Sequence, residues 1–264
     1  MRILNFLFSR SKQEQDKPIR DKLKTRKDFE RVLAEDLDIM ETTKARMDTA
    51  KNINLYMYRS LSYSYILILQ SKYSVDAKID ELRDIYIKSM YYFLQAFNKR
   101  NQIYADILNY VSLGVLLNIP DNNFRQLIDY VKQMDKQAKP SGWTPDLLLW
   151  FMLNSRLKEQ EKLKYAETLA YPRLYNGLYK VIQAPNAAAA KDALNKYLDR
   201  WYNLNSDAPW YNSHLKDNSY RGYWAWEVAA VAKIMHIDDS DLKNNQYYPY
   251  DMVHWEDNET TAKE

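Results

Sequence analysis

Residues 220–236 read YRGYWAWEVAAVAKIMH and would be apolar on nearly every face of a helix. A helix that is apolar all round is typical of the buried centre of a protein, because it leaves no side for water. We therefore predict that this segment is a central helix and that other helices pack around it.

The composition favours the same fold class. The 264 residues include only 4 glycines and 8 prolines, too few for the many turns of a β-sandwich or for glycine-rich cofactor loops. The absence of cysteine excludes disulfides, thiolate zinc sites and iron–sulfur clusters. With 23 tyrosines and 7 tryptophans, the core is expected to be rich in aromatic rings.

Helical spacing of apolar residues recurs along most of the chain. Because no repeat of fixed period is present, we predict an all-α array of about eight to ten helices in two packed halves, not a regular solenoid. The first predicted helix is long and largely exposed, and the second is buried. The predicted helices cover 17–51, 54–72, 76–98, 102–117, 122–138, 144–153, 165–183 with a kink or break at Pro172, 187–202 and 220–236.

The clearest break in the pattern is KPSG at residues 139–142. It predicts an N-terminal helical domain at 18–138 and a C-terminal helical domain at 144–255, preceded by an arm at 1–17 and followed by a frayed acidic tail at 256–264. Residues 1–10 lack the features of a secretory signal, and the apolar run 63–69 is far shorter than the roughly 20 residues of a membrane span. We expect a cytoplasmic protein; docking of the arm around Phe6–Phe8 on a membrane or partner is the alternative.

Charge is distributed unevenly along the chain. The net charge is +3, but residues 1–30 have nine basic and five acidic residues, whereas 201–264 have five basic and eleven acidic. The acidic end is either a plain solvated face or a patch that steers a basic partner. The candidate partner-binding acids are Asp238, Asp239, Asp241, Glu256, Asp257 and Glu259.

Motifs for catalysis are missing from the sequence. The three histidines show no zinc-binding spacing, and neither a nucleophile elbow nor a phosphate loop is present, so we predict no enzyme, no catalytic residue, no metal and no cofactor. Glu227 is the most notable acid, because it lies inside the apolar segment. It is either an anchor that accepts a hydrogen bond from a Trp, Tyr or Arg, or a functional acid with a raised pKa.

Three blocks in the C-terminal part occur in a distinctive order. They are GYW…E at 222–227, IDD at 237–239 and YYPYD at 247–251, with YLDRWY at 197–202 before them. This series resembles the C-terminal domain of PoNi-type immunity proteins, which neutralise PoNe-type DNase toxins of interbacterial competition. The resemblance covers residues 144–255 well; residues 18–138 resemble the family's N-terminal domain more in layout than in motifs.

The resemblance implies an all-α immunity protein that binds a nuclease toxin directly, occludes its active site, resides in the cytoplasm of the producing cell and needs no cofactor. It assigns fold-defining roles to Trp201, Gly222, Tyr223, Trp224, Glu227, Pro249 and Asp251. Two other functions stay open from the residues alone. One is a helical adaptor that binds other proteins, and the other is a hydrolase that uses Glu227, Asp251 and His254.

Overall fold

The computed structural model of this chain describes residues 18–96, 104–136, 143–216 and 218–261. The predicted arm at 1–17 and the predicted break at 139–142 lie outside the described residues. Within the described parts of the chain there are ten α-helices and no β-strand, which confirms the all-α fold. No helix in these parts is long and apolar enough to cross a bilayer.

The helices are numbered in chain order. They are α1 (Arg26–Thr49), α2 (Leu55–Val75), α3 (Ile79–Ala96), α4 (Tyr104–Leu116), α5 (Asp121–Lys136), α6 (Leu147–Asn154), α7 (Pro172–Ile182), α8 (Ala187–Leu204), α9 (Trp226–Met235) and α10 (Tyr250–Thr261). Short 3₁₀ turns occupy Glu159–Glu161, Ser213–Leu215 and Ser240–Leu242. The backbone of α10 continues into the segment 256–264 that is predicted as a frayed tail.

Contacts divide the chain into two compact units, which are formed by residues 1–97 with 212–223 and by residues 98–211 with 224–264. In the first unit, α2 packs against both α1 and α3. A capping box between Thr25 and Asp28 begins α1, and Asn54 caps α2, so each start satisfies amide groups that the helix itself leaves unbonded. Segment 212–223 joins this unit although it follows eight of the ten described α-helices in the chain.

In the second unit, α9 packs against α4, α6, α7, α8 and α10 and is therefore its central helix. Ala229, Ala230 and Val231 on α9 are fully buried, which agrees with the predicted central position. The pair α7 and α8 approaches closely at Gly177, where a Cβ would lie 2.5 Å from Cδ2 of Tyr197. Glycine is required at this contact because the tyrosine ring fills the space of any side chain.

Several predicted helix starts are wrong. Helix α1 begins at Arg26 and not at residue 17, and α3 begins at Ile79 because Asp76 is the C-cap of α2. The central helix begins at Trp226 and not at Tyr220. Residues 220–225 form neither a helix nor a strand, and Gly222 has a φ of 107°, which a right-handed α-helix does not allow. Helix α6 begins after Asp146, whose carboxylate accepts from the Leu149 amide, so Thr144 is not the cap. Helix α7 begins at Pro172 and not at residue 165, so of the two predicted options, a kink or a break at Pro172, the break is confirmed.

Candidate functional site

Glu227 lies in the interior of the second unit, near the start of α9. Its side chain accepts a hydrogen bond from the indole Nε1 of Trp201 on α8, at 2.6 Å. This is an aromatic partner of the kind that the sequence predicts for an anchor. Burial raises the pKa of Glu227 to about 7, and the Trp201 bond opposes the rise only in part.

The raised pKa predicts how stability depends on pH. The unfolded chain releases this proton near the ordinary value of 4.5, whereas the folded chain holds it to about 7, so stability falls as the pH rises through this window. Glu227→Gln removes the charge and keeps a carbonyl oxygen for Trp201. Between pH 5 and pH 8 the wild type is expected to lose roughly 2–3 kcal/mol more unfolding free energy than the variant.

Urea denaturation of both proteins at several pH values measures this difference. If the chain has the immunity function that the resemblance implies, a folded Glu227→Gln protein is also expected to protect against a toxin as the wild type does, because an anchor contributes only to the fold. Parallel stability profiles for the two proteins would contradict the raised pKa, and loss of protection in a folded variant would contradict the anchor role.

The residues of the hydrolase alternative have other partners. Glu227 is bonded to Trp201, whereas His254 places Nε2 2.8 Å from Oδ1 of Asp239. Asp251 is exposed at the start of α10. Among the side chains that the structure describes, no group of three or more His, Asp or Glu residues could hold a metal ion. The geometry therefore gives this alternative no support.

The acidic residues after position 237 have three different environments. Asp238 and Asp241 are exposed and share Lys191, whose Nζ lies 2.9 Å and 3.2 Å from their carboxylates. Bonds from Ser240 and Lys191 lower the pKa of Asp238, and a bond from Asn195 lowers that of Asp241. Both are therefore ionised at neutral pH, but the lysine cancels half of their charge.

Asp239 and Glu256 are less available than the sequence predicts. Asp239 is only 3% exposed. It accepts a bond from the Tyr248 hydroxyl at 2.6 Å and lies 2.8 Å from Nε2 of His254, so its carboxyl group is not presented to solvent. This corrects its place in the predicted surface patch. Glu256 is half-buried and bonded to Lys233 at 2.9 Å. The side chains of Asp257 and Glu259 lie outside the described part of the structure.

A second polar site, which the sequence analysis above does not predict, holds segment 212–223 within the first unit. Arg221 donates two bonds to Asp36 on α1, with Nε 2.6 Å from Oδ2 and Nη2 2.8 Å from Oδ1. Ser74 on α2 donates to the Arg221 carbonyl oxygen at 2.9 Å, and the Tyr220 hydroxyl donates to Asp21. The signal in the sequence is an arginine inside an apolar run, which needs a carboxylate partner when it is buried.

The predicted fold-defining residues occupy mostly interior positions. Buried members of this set are Trp201, Tyr223, Trp224, Glu227 and Pro249, whereas Asp251 is exposed. In the first unit, Tyr223 places its hydroxyl 2.9 Å from Nδ1 of His214. Interior positions of this kind suit a structural role, and that role stays a prediction.

Helix α2 is buried only in part, which corrects the prediction of a buried helix at 54–72. Leu61, Tyr65 and Ile68 pack into a core cluster with α1, but Tyr56 and Tyr63 are 78% and 61% exposed. The physical reason is that α1 and α3 cover two sides of α2 and leave a third side to solvent. Aromatic rings on that third side are the largest exposed apolar groups of the helix.

Two family models match this chain, and together they cover most of it. The family described as PoNe immunity proteins (PoNi), C-terminal, matches residues 144–252, and the family described as PoNe immunity protein (PoNi), N-terminal, matches residues 11–129. No curated protein matches the sequence. The crystal structure of protein PA2201 from Pseudomonas aeruginosa has the same fold, with a TM-score of 0.68 and 19% identity over 91% of each chain.

Proposed function

Since this chain belongs to the PoNe immunity protein family, and is thus an immunity protein directed against a toxin, we propose that it binds a nuclease toxin directly and occludes its active site. The observation that supports this proposal is the presence of both family domains in order along the chain. We propose further that it acts in the cytoplasm of the producing cell, without catalysis and without a cofactor.

The physical chemistry of a nuclease suits inhibition by an acidic patch on a rigid helical scaffold. A cleft that binds nucleic acid is basic because it must attract phosphates. Acidic side chains held on helices compete for the same cleft and accelerate the encounter. Because the whole chain has a net charge of +3, any such mimicry must be local and cannot involve the entire surface.

Co-expression with a PoNe-type toxin, sought first in the coding sequence adjacent to the gene for this chain, tests the proposed function. Cells that express the toxin are expected to survive only with the immunity protein, and the two proteins are expected to purify together. When immunity protein is titrated into a mixture of purified toxin and plasmid DNA, cleavage of the DNA should stop near an equimolar ratio of the two proteins. Absence of a complex would contradict direct binding, and a toxin that leaves DNA and RNA intact would contradict the nuclease target.

Occlusion of the active site needs its own measurement. A catalytically inactive form of the toxin is expected to bind a short DNA duplex when alone and to lose that binding when the immunity protein is added. A ternary complex of DNA, toxin and immunity protein would show that inhibition occurs away from the active site.

Asp238 and Asp241 remain proposed steering residues, because they are the exposed members of the predicted acidic set. Changing both to Lys is expected to slow association with the toxin about threefold to tenfold at low salt and to weaken the salt dependence of the rate. Stopped-flow kinetics at several salt concentrations measure both effects, and circular dichroism checks folding. An unchanged association rate in a folded variant would remove these residues from the proposal.

A further inference from the structure

The connection between α1 and α2 exposes large apolar side chains at one end of the first unit. Residues 51–56 are exposed without interruption, so this connection projects into solvent. Within it, Ile53, Leu55 and Tyr56 are 45%, 47% and 78% exposed. We call these three residues the apolar tip. Contiguous exposed apolar side chains of this kind mark sites of interaction with a protein or a membrane.

Exposed basic side chains flank the apolar tip on both sides in the chain. Lys51 lies in the connection itself, Arg46 lies in the last turn of α1, and Arg59 lies in the second turn of α2. We call these three residues the basic collar. Lys44 is not counted with them, because its ammonium group is paired with Glu41 at 3.3 Å.

Acidic residues are scarce at this end of the unit. Between residues 42 and 60, Asp48 is the one acid among four bases. Helix α3 ends beside this segment, since the rings of Tyr58 and Tyr92 lie 6.3 Å apart, and its last three turns contain one base and no acid. By contrast, residues 72–84 at the other end of α2 contain three bases and four acids. The excess of basic charge therefore belongs to the end that carries the apolar tip.

Apolar side chains flanked by bases suit the surface of an anionic bilayer. The apolar groups enter the boundary between headgroups and acyl chains, where tyrosine is favoured, and the bases stay among the anionic headgroups. The anchors of a protein interface fill packed pockets, and single-stranded nucleic acid needs rings on which its bases stack, which Ile53 and Leu55 do not provide. A bilayer requires no complementary shape, so a projecting connection can enter it.

We propose that the apolar tip and the basic collar form a site that attaches this protein reversibly to an anionic phospholipid surface. This inference goes beyond the proposed function and does not rest on it, because no property of a toxin enters the argument. Three apolar side chains and three bases give weak attachment, at or below the roughly 10⁴ M⁻¹ of a single myristoyl chain.

Sedimentation of the full chain with phospholipid vesicles tests the inference. The anionic vesicles consist of phosphatidylcholine with about one-third phosphatidylglycerol, and vesicles of phosphatidylcholine alone are the neutral comparison. The wild type is expected to bind the neutral vesicles at least about tenfold more weakly than the anionic ones. Added salt is expected to release the protein from the anionic vesicles, because ions screen the charge of the collar.

Variants of the tip and of the collar have matched controls. Ile53→Ser/Leu55→Ser is expected to weaken binding to anionic vesicles at least about tenfold, whereas Leu215→Ser, at a 73% exposed leucine in segment 212–223, should change it less than about twofold. Lys51→Glu is expected to weaken binding about tenfold, whereas Lys78→Glu, at an exposed lysine between α2 and α3, should change it less than about threefold. Circular dichroism checks that each variant folds.

A fluorescent label gives a second measurement that does not depend on the folding of the double variant. The chain contains no cysteine, so Ile53→Cys and Leu215→Cys each provide a single labelling site. A polarity-sensitive dye at position 53 is expected to shift its emission to shorter wavelength when anionic vesicles are added, because it enters a less polar environment. The same dye at position 215 should not respond.

Every outcome of these measurements supports or overturns the inference. A wild type that does not sediment with anionic vesicles overturns it, and so does equal binding to neutral vesicles or binding that survives in the folded tip and collar variants. A wild type that uses these residues to bind DNA, an acidic protein or a second copy of this chain, but not vesicles, assigns the site to that ligand and also overturns it. Because no toxin is present, failure here leaves the proposed function standing, and failure of the toxin experiments leaves these results unaffected.

Discussion

Asp36→Ala is expected to lower the free energy of unfolding by roughly 3–5 kcal/mol, because it leaves the guanidinium of Arg221 buried without its counter-ion. The side chains of Asp36 and Arg221 are 3% and 9% exposed, so water cannot replace the lost carboxylate without opening the structure. The bonds from Tyr220 to Asp21 and from Ser74 to the Arg221 carbonyl oxygen do not involve Asp36, so the expected loss is that of the ion pair alone. Urea denaturation followed by tyrosine and tryptophan fluorescence measures the loss.

The double variant Asp36→Leu/Arg221→Met is the control for this prediction. It removes both charges and retains apolar volume, and replacements of this kind are often neutral or stabilising. We therefore expect it to be clearly more stable than Asp36→Ala. If the single variant loses less than about 1 kcal/mol, the bidentate contact is not formed in solution. If the double variant is as unstable as the single one, the loss reflects packing and not the unpaired charge.

The segment around this ion pair shows where inference from the sequence reaches its limit. Apolar residues on every side predict a helix from Tyr220, but Tyr220 and Arg221 bond to Asp21 and Asp36, far away along the chain. Local periodicity contains no information about such partners. Gly222, with its positive φ, is the one local sign that the helix cannot begin so early.

Elements with strong local signals were predictable. Helix α5 follows the spacing of its apolar residues, and all five predicted core positions are buried; these are Phe124, Leu127, Ile128, Val131 and Met134. The predicted central segment also contains α9, whose burial follows from its lack of a polar side. In these cases the residues that determine the element lie within it, so periodicity is sufficient.

The candidate site was less predictable than the fold because charge counting ignores partners. Asp238, Asp239 and Asp241 are similar in the sequence, yet Lys191 pairs with two of them and Tyr248 binds the third inside the unit. Exposure of Tyr56 and Tyr63 was likewise hidden, since tyrosine occurs equally well in cores and on binding surfaces. Only the packing of α1 and α3 around α2 shows that Tyr56 and Tyr63 lie on the surface and not in the core.

Trp226→Ala is expected to destabilise the protein by roughly 3–5 kcal/mol, since it deletes one of the largest fully buried side chains. Trp226 begins α9, which packs against five other helices of its unit, so the surroundings have little freedom to close around the cavity. For a chain of this size the melting temperature should fall by about 10 °C. Differential scanning calorimetry measures the shift, and Trp226→Phe, which retains most of the ring volume, should lose much less.

Calorimetry also shows which of the two units Asp36 and Trp226 each stabilise. Asp36 belongs to the first unit and Trp226 to the second. If the units unfold in separate transitions, each variant should shift only the transition of its own unit; if they unfold together, both variants should shift one shared transition. An unchanged melting curve for Trp226→Ala would contradict the central position of α9, on which the architecture of the second unit depends.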